Sequence, residues 1–193
     1  PMGMTAENVA ERCSVSRESQ DEWAVISQNR AVEAVASGHF DKEIVPVTVP
    51  AHKDVDKEGN EVDVPETLVS RDDGPRPGTT MEGLAALKPV FREGGTVTAG
   101  NACPLNDGAA ALLIMSEDRA KELGMKPRAR IVASAVAGLR PEIMGLGPIP
   151  AIEKLLAATG MTMSDIDVVE INEAFAASSF SIAGIGPRPM LSG

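Results

Sequence analysis

The sequence predicts an α/β protein, with a region of helices and extended segments ahead of alternating strands and helices. Three observations predict it. The C-terminal half reads strand, helix, strand: "RARIVASAVAGL" is a buried apolar run, "PAIEKLLAATG" has helical periodicity, and "DIDVVEIN" is β-branched again. Such alternation makes a parallel sheet with right-handed crossovers. The run "GAAALLIM" is continuously apolar, the pattern of a strand buried on both faces. The N-terminal half does not alternate in this way and reads as an excursion of helices and loops.

Element by element, Thr5 is expected to cap a short helix through Val9, Ala10 and Cys13. Ser16 caps a longer one, in which Trp23, Ile26, Ala31, Val32 and Val35 recur at roughly helical intervals until Gly38 stops it. Ser27 and Arg30 interrupt that stripe, so the face is only moderately apolar. "EIVPVTVP" carries two prolines and suits an edge strand or an extended segment. "KDVDKEGNEVDVPE" suits a charged, exposed hairpin turning near Gly59 and Asn60. After the turn-rich connector "SRDDGPRPGTT", Thr79 and Glu82 stand at capping-box spacing. Met81, Leu84, Leu87 and Phe91 then line one helical face. "GTVTAGN" reads as a short strand entering a turn, and Ser116 opens a helix that Gly124 ends.

The 193 residues suffice for one substantial domain or two small ones. Aromatic residues are only 3% of the chain, so the core must rest on Val, Ile, Leu, Ala and Met. A net charge of −10 argues against a nucleic-acid or anionic-membrane surface, either of which needs a basic field. An anionic substrate then requires a local basic site. Cys13 and Cys103 are the only cysteines and form no C-x-x-C pair, which argues against a zinc site or disulfide scaffold. A reducing cytosol fits them best. No apolar run approaches the ~20 residues that span a bilayer. The opening "PMGMTAENVA" lacks the regions of a signal peptide and reads as mid-protein sequence.

The chain contains none of the phosphate-loop, zinc-protease, serine-hydrolase or dinucleotide fingerprints. His39 and His52 sit in polar segments and read as solvated or capping residues. For Cys103, in "GNACPLNDGAA", a small buried packing residue and a site residue are both open readings. Asn172 and Glu173, in "DVVEINEAFAA", suit a helix cap with a first-turn carboxylate. They equally suit ligand binding at the carboxyl end of a parallel strand.

Four blocks in order, "MGMTAENVAE", "GTVTAGNACPLNDGAAALLIMSE", "EIMGLGPIPA" and "VVEINEAFAA", together resemble the thiolase family, the acetyl-CoA C-acyltransferases. The likeness runs from Met2 to Ala177. It implies part of the thiolase fold: a loop domain over 1–99 that binds coenzyme A, the end of the first α/β half over 100–126, and the start of the second over 127–193. The second βαβ half is incomplete. It also implies Claisen condensation of acyl-CoA thioesters, or thiolytic cleavage of a 3-ketoacyl-CoA, through an acyl-cysteine intermediate. A second cysteine and a histidine move the protons, and oxyanion holes hold the developing charge.

By that resemblance Asn172 holds an oxyanion-hole water and Glu173 supports it. Arg76 and Phe91 fall at the nucleotide end of coenzyme A, and Leu87 and Ala99 near the adenine and pantetheine. Cys103 lies near the pantetheine and is not the nucleophile; Met144 and Phe175 line the acyl and pantetheine pocket. The resemblance implies coenzyme A or acyl-CoA as substrate, no covalently bound cofactor, no metal, a homo-oligomer, and a cytoplasmic protein without nucleic-acid or membrane partners.

The family's nucleophile cysteine is expected upstream of Pro1, and its "GGAIALGHP" and "C-x-G-G-G" blocks after residue 177. The chain instead reads "SSFSIAGIGPRPMLSG" there, a tail unlike the family's continuation that suits a truncation, a frame change or an unusual end. This chain alone is therefore expected to be inactive. A non-catalytic module that binds coenzyme A is the alternative reading, and a separate chain supplying the missing halves is a third. An incomplete sheet would expose apolar faces and favour association.

Overall fold

Small side chains at three- and four-residue intervals make the first helix, α1 (Met2–Cys13), a surface that other segments can approach closely. Gly3, Ala6, Glu7, Val9 and Ala10 are all buried along it. The structure, a computed structural model, describes residues 1–183. These divide into two units, one of residues 1–23 with 84 onward and the other of Ala24–Gly83.

In the first unit α1 begins directly after Pro1, and the Thr5 hydroxyl donates to the Met2 carbonyl. Thr5 therefore lies inside the helix and does not cap it. The helix ends on Ser14, whose left-handed φ of 54° lets the Val15 N–H reach back to the Ala10 carbonyl. Helix α2 (Arg17–Ala36) is capped as expected, by the Ser16 hydroxyl accepting from the Ser19 N–H. Its buried residues near the start are polar: Gln20 and Asp21 are at most 1% exposed.

Also in this unit, α4 (Glu117–Glu122) is capped by Ser116 and closed by Gly124 at φ 65°, as the sequence suggests. A 3-10 turn, Pro141–Leu146, precedes α5 (Pro148–Thr159), and α6 (Ala176–Ala183) follows. The 3-10 turn and α6 both pack on α1, and Asn8 Nδ2 donates to the Glu142 carbonyl. Ala6, Val9, Val97, Leu146, Ala176, Ala177 and Ile182 supply buried apolar side chains.

The second unit carries the remainder of α2, closed where the His39 N–H reaches the Ala34 carbonyl across Gly38 at φ 74°. Two nested antiparallel pairs follow. Strand β2 (His52–Val55) pairs with β3 (Glu61–Val64), and outside them β1 (Val47–Val49) pairs with β4 (Thr67–Val69). The hairpin thus turns where the sequence predicts. Asp56 builds the turn: one carboxylate oxygen accepts the N–H groups of Glu58 and Asn60, and Asn60 Nδ2 also donates to the carboxylate.

Several expectations are corrected. The residue that caps α3 (Met81–Ala85) is Thr80, whose hydroxyl accepts the Gly83 N–H; Thr79 instead donates to the Arg76 carbonyl. That helix is only five residues long, so Leu87 and Phe91 lie beyond its end. "GTVTAGN" forms a hydrogen-bonded loop in place of a strand. The apolar runs over 109–115, 129–139 and 166–171 form no ladder among the described residues, with one another or with any other segment. Leu112 is 80% exposed, Val136 82% and Val168 82%. A doubly buried strand needs neighbours on both edges, and none pairs with these runs. The expected parallel sheet is accordingly absent among the described residues, whose only sheets are the two antiparallel pairs.

The turn also supports a pH prediction. Chiefly the Asn60 N–H, then its side-chain amide, hold the Asp56 carboxyl below the usual aspartate value of 3.8. A depressed folded value means that this contribution is complete above the unfolded pKa and lost as pH falls through the folded one. In an NMR titration the Asp56 carboxyl and the Asn60 amide should shift together at a midpoint below 3.8. A midpoint at or above that value would contradict the hydrogen-bonded turn.

Candidate functional site

The candidate site in the first unit is assembled around one buried carboxylate. Glu7, 2% exposed, accepts the backbone N–H groups of Thr96 (2.9 Å) and Val97 (2.9 Å) and the Thr96 hydroxyl (3.1 Å). A helix side chain thereby fixes the start of the 96–103 loop, whose donors have no strand partner. Gln20 adds a second tie, its Nε2 donating to Thr96 Oγ1 and to the Val15 carbonyl. The loop is closed from inside by Asn101. Its Oδ1 accepts the Thr98 N–H at 2.8 Å, and its Nδ2 donates to Asp21 Oδ1 at 2.9 Å and to the Thr96 carbonyl.

The far end of this loop holds the segment that contains the "NEAF" block. The Ala176 N–H donates to the Asn101 carbonyl and the Cys103 N–H to the Ala174 carbonyl, an antiparallel bridge between Ala102 and Phe175. The Phe175 ring meets the Phe91 ring edge-on, with centroids 6.4 Å apart and planes at 81°. Phe91 in turn lies against Gly3, so closely that a Cβ there would enter its ring. The glycine is what lets the ring approach α1.

Phe91, Cys103 and Phe175 are therefore brought together. Leu87 lies beside Gly100 of the same loop, which has no room for a side chain beneath Leu84 and Leu87. Ala99 is exposed on the same loop. Met144 lies on the 3-10 turn packed against α1 and α6. Leu87, Phe91 and Met144 are each between a third and a half exposed, at 38%, 37% and 44%.

Other expectations fare differently. Cys103 is exposed, which corrects the reading of it as a buried packing residue. Asn172 and Glu173 are exposed and lie ahead of α6. Phe175 occupies the position before that helix, its carbonyl accepting from Ser178 and Ser179, so Asn172 does not cap it. Arg76 is an exposed residue of the second unit, its N–H donating to Gln28 Oε1. His39 and His52 are exposed there too, His52 Nδ1 lying 3.0 Å from the Pro50 carbonyl. Among the described residues no cluster of His, Cys, Asp or Glu could hold a metal ion, and no helix is long and apolar enough to cross a membrane. The Glu7, Asp21 and Asn101 framework escaped the sequence reading. Its one local signal was a glutamate inside a stripe of small apolar residues.

The chain belongs to the thiolase family. Residues 1–118 match the family's "Thiolase, N-terminal domain" and residues 125–185 its "Thiolase, C-terminal domain". The second match passes Ala177, so the likeness does not stop where the sequence reading ended it. The cytosolic acetyl-CoA acetyltransferase of Mus musculus is 49% identical over 192 residues, 97% of this chain and 46% of that protein. The Bacillus anthracis acetyl-CoA acetyltransferase structure superposes with a TM-score of 0.82 at 48% identity, over 95% of this chain and 44% of that one. The human mitochondrial 3-ketoacyl-CoA thiolase, solved in complex with CoA, gives 0.79 at 42% identity, over 95% and 43%. The backbone thus follows the α/β thiolase trace even where its apolar runs make no ladder. The chain spans less than half the length of the proteins it matches.

The framework supports a stability prediction. In Glu7→Gln one acceptor becomes a donor that faces the Thr96 N–H, at a cost of about 1–3 kcal/mol. The urea midpoint should fall accordingly. An unchanged midpoint would mean that the loop does not depend on this carboxylate.

Proposed function

We propose that this chain is the part of an acetyl-CoA C-acyltransferase that carries coenzyme A contacts and one wall of the acyl-transfer site. The observation that supports it best is the junction of Phe91, Cys103 and Phe175. Two backbone hydrogen bonds and a ring contact gather three residues that the family resemblance assigns to coenzyme A and the acyl chain. Leu87, Ala99 and Met144 belong to the same reading, Arg76 supplies cationic charge for the nucleotide end, and Asn172 holds the oxyanion-hole water with Glu173 in support. The reading takes residues 1–99 as a loop domain, 100–126 as the end of the first α/β half, and 127–193 as the start of the second. The human relative solved with CoA supports the ligand class, and the cytosolic mouse relative supports a cytoplasmic setting. A homo-oligomer remains the expectation from the family.

The chemistry asks for a thiolate nucleophile and a histidine for proton transfer. Both histidines of this sequence lie in the second unit, and the unit that contains Asn172 has none. The 193 residues by themselves are accordingly proposed to bind coenzyme A without turning over a 3-ketoacyl-CoA. As a binding module alone, the chain would keep the first property and need no second.

Calorimetric titration with coenzyme A should give a binding isotherm, weakened about tenfold in Arg76→Ala by loss of a charge-assisted contact. A flat titration of the folded, unsubstituted chain would overturn the coenzyme A reading. Thiolysis of acetoacetyl-CoA by the purified 193-residue chain should be undetectable. Turnover that co-purifies with this chain and no longer thiolase would refute its inactivity.

A further inference from the structure

Arg17, Asp21 and Asn101 form a continuous polar relay through the first unit. Arg17 Nε donates to Asp21 Oδ2 at 2.6 Å, and its Nη2 donates to the carbonyls of Leu84 and Leu87. The other oxygen of Asp21 accepts from Asn101 Nδ2. The Asp21 side chain is 2% exposed and that of Arg17 23%. Asn101 then orders the loop through Thr98 and Thr96, and its carbonyl receives the Ala176 N–H. One ion pair on the first turns of α2 therefore reaches three segments: 84–91 with Leu87 and Phe91, 99–103 with Ala99 and Cys103, and 172–176 with the "NEAF" block.

We infer that Arg17, Asp21 and Asn101 are positioning residues for coenzyme A binding, the relay setting the mutual register of these three segments. This rests on the coenzyme A reading above. Simple structural ballast would not need this geometry. A guanidinium is planar and forked, so it can engage a carboxylate and two carbonyls at once, which an ammonium on a flexible stem does poorly. Asp21 divides its two oxygens between Arg17 and Asn101 and so passes the position of one to the other.

Two variants of the full chain test it, Asp21→Asn and Arg17→Lys, each read by calorimetry with coenzyme A, by urea midpoint and by amide hydrogen exchange. Asp21→Asn removes a negative charge, which by itself favours an anionic ligand. A weaker affinity would therefore come from lost positioning and not from electrostatics. The expected loss is about tenfold, with faster exchange at the Thr98 and Ala176 amides and protection retained at Val9 and Ala10 of α1. Where Asp21→Asn fails to fold, Arg17→Lys decides. It keeps a cation beside Asp21 but loses the forked hold on Leu84 and Leu87, and should bind coenzyme A several-fold more weakly. A lowered urea midpoint with unchanged affinity in the folded variants would overturn the proposal, as would unchanged exchange at Thr98 and Ala176. If the unsubstituted chain binds no coenzyme A, the functional reading fails while the exchange data still report whether the relay sets the register.

Discussion

A carboxylate on a helix does the work of a missing strand. Glu7 takes the N–H groups of two successive residues, Thr96 and Val97, and the Thr96 hydroxyl as well. The Val97 amide is buried and that of Thr96 partly so, neither has a ladder to join, and without an acceptor they would carry a desolvation cost. The side chain can reach them because the chain passes close beside it at Gly95, where a Cβ would meet the Glu7 carboxylate. Everything nearer the candidate site follows from that attachment: the loop through Asn101, the bridge to Phe175, and the ring of Phe91 over Gly3.

Polar groups, more than apolar ones, therefore specify the arrangement of the first unit. Gln20, Asp21, Thr98 and Asn101 are buried alongside Val9 and Val97, none more than 4% exposed. Buried polar networks are costly when incomplete, and this one is complete except at Gln20 Oε1. The apolar contacts hold elements together with little preference for register, whereas each of these hydrogen bonds admits one partner at one distance. A ligand that must touch several loops at once needs that kind of definition.

How much of this was legible in the sequence depended on how local the cause was. The Asp56 turn, the Ser16 and Ser116 caps and the endings at Gly38 and Gly124 are decided within a few residues, and all were readable. The Thr79 and Thr80 pair shows the limit: both are adjacent hydroxyls, and only the hydrogen bonds of the folded loop choose between them. The apolar runs failed for another reason. Composition can mark "GAAALLIM" or "DIDVVEIN" as strand-like, but a strand exists only beside a partner, and no described segment provides one. Their thiolase trace was legible through the family resemblance alone. The site divided in the same way. The junction of Phe91, Cys103 and Phe175 gathers three of the expected residues, while Asn172 proved not to cap α6. The Glu7 and Asp21 contacts could not be read at all, because residues on either side of a loop of eighty or more give no periodic signal.

That separation has a consequence for how the protein is made. Glu7 and Val97 lie 90 residues apart, so α1 leaves the ribosome long before the amides it serves exist. At about 5–20 residues per second the wait is roughly 5–20 seconds. Throughout it, the second unit can complete its own hairpins, whose inner pair closes over a turn of a few residues. The helix with the buried carboxylate is thus made well before the amides that fix its place. During synthesis it is an amphipathic segment whose buried face still lacks partners, a transiently exposed surface of the kind that favours association.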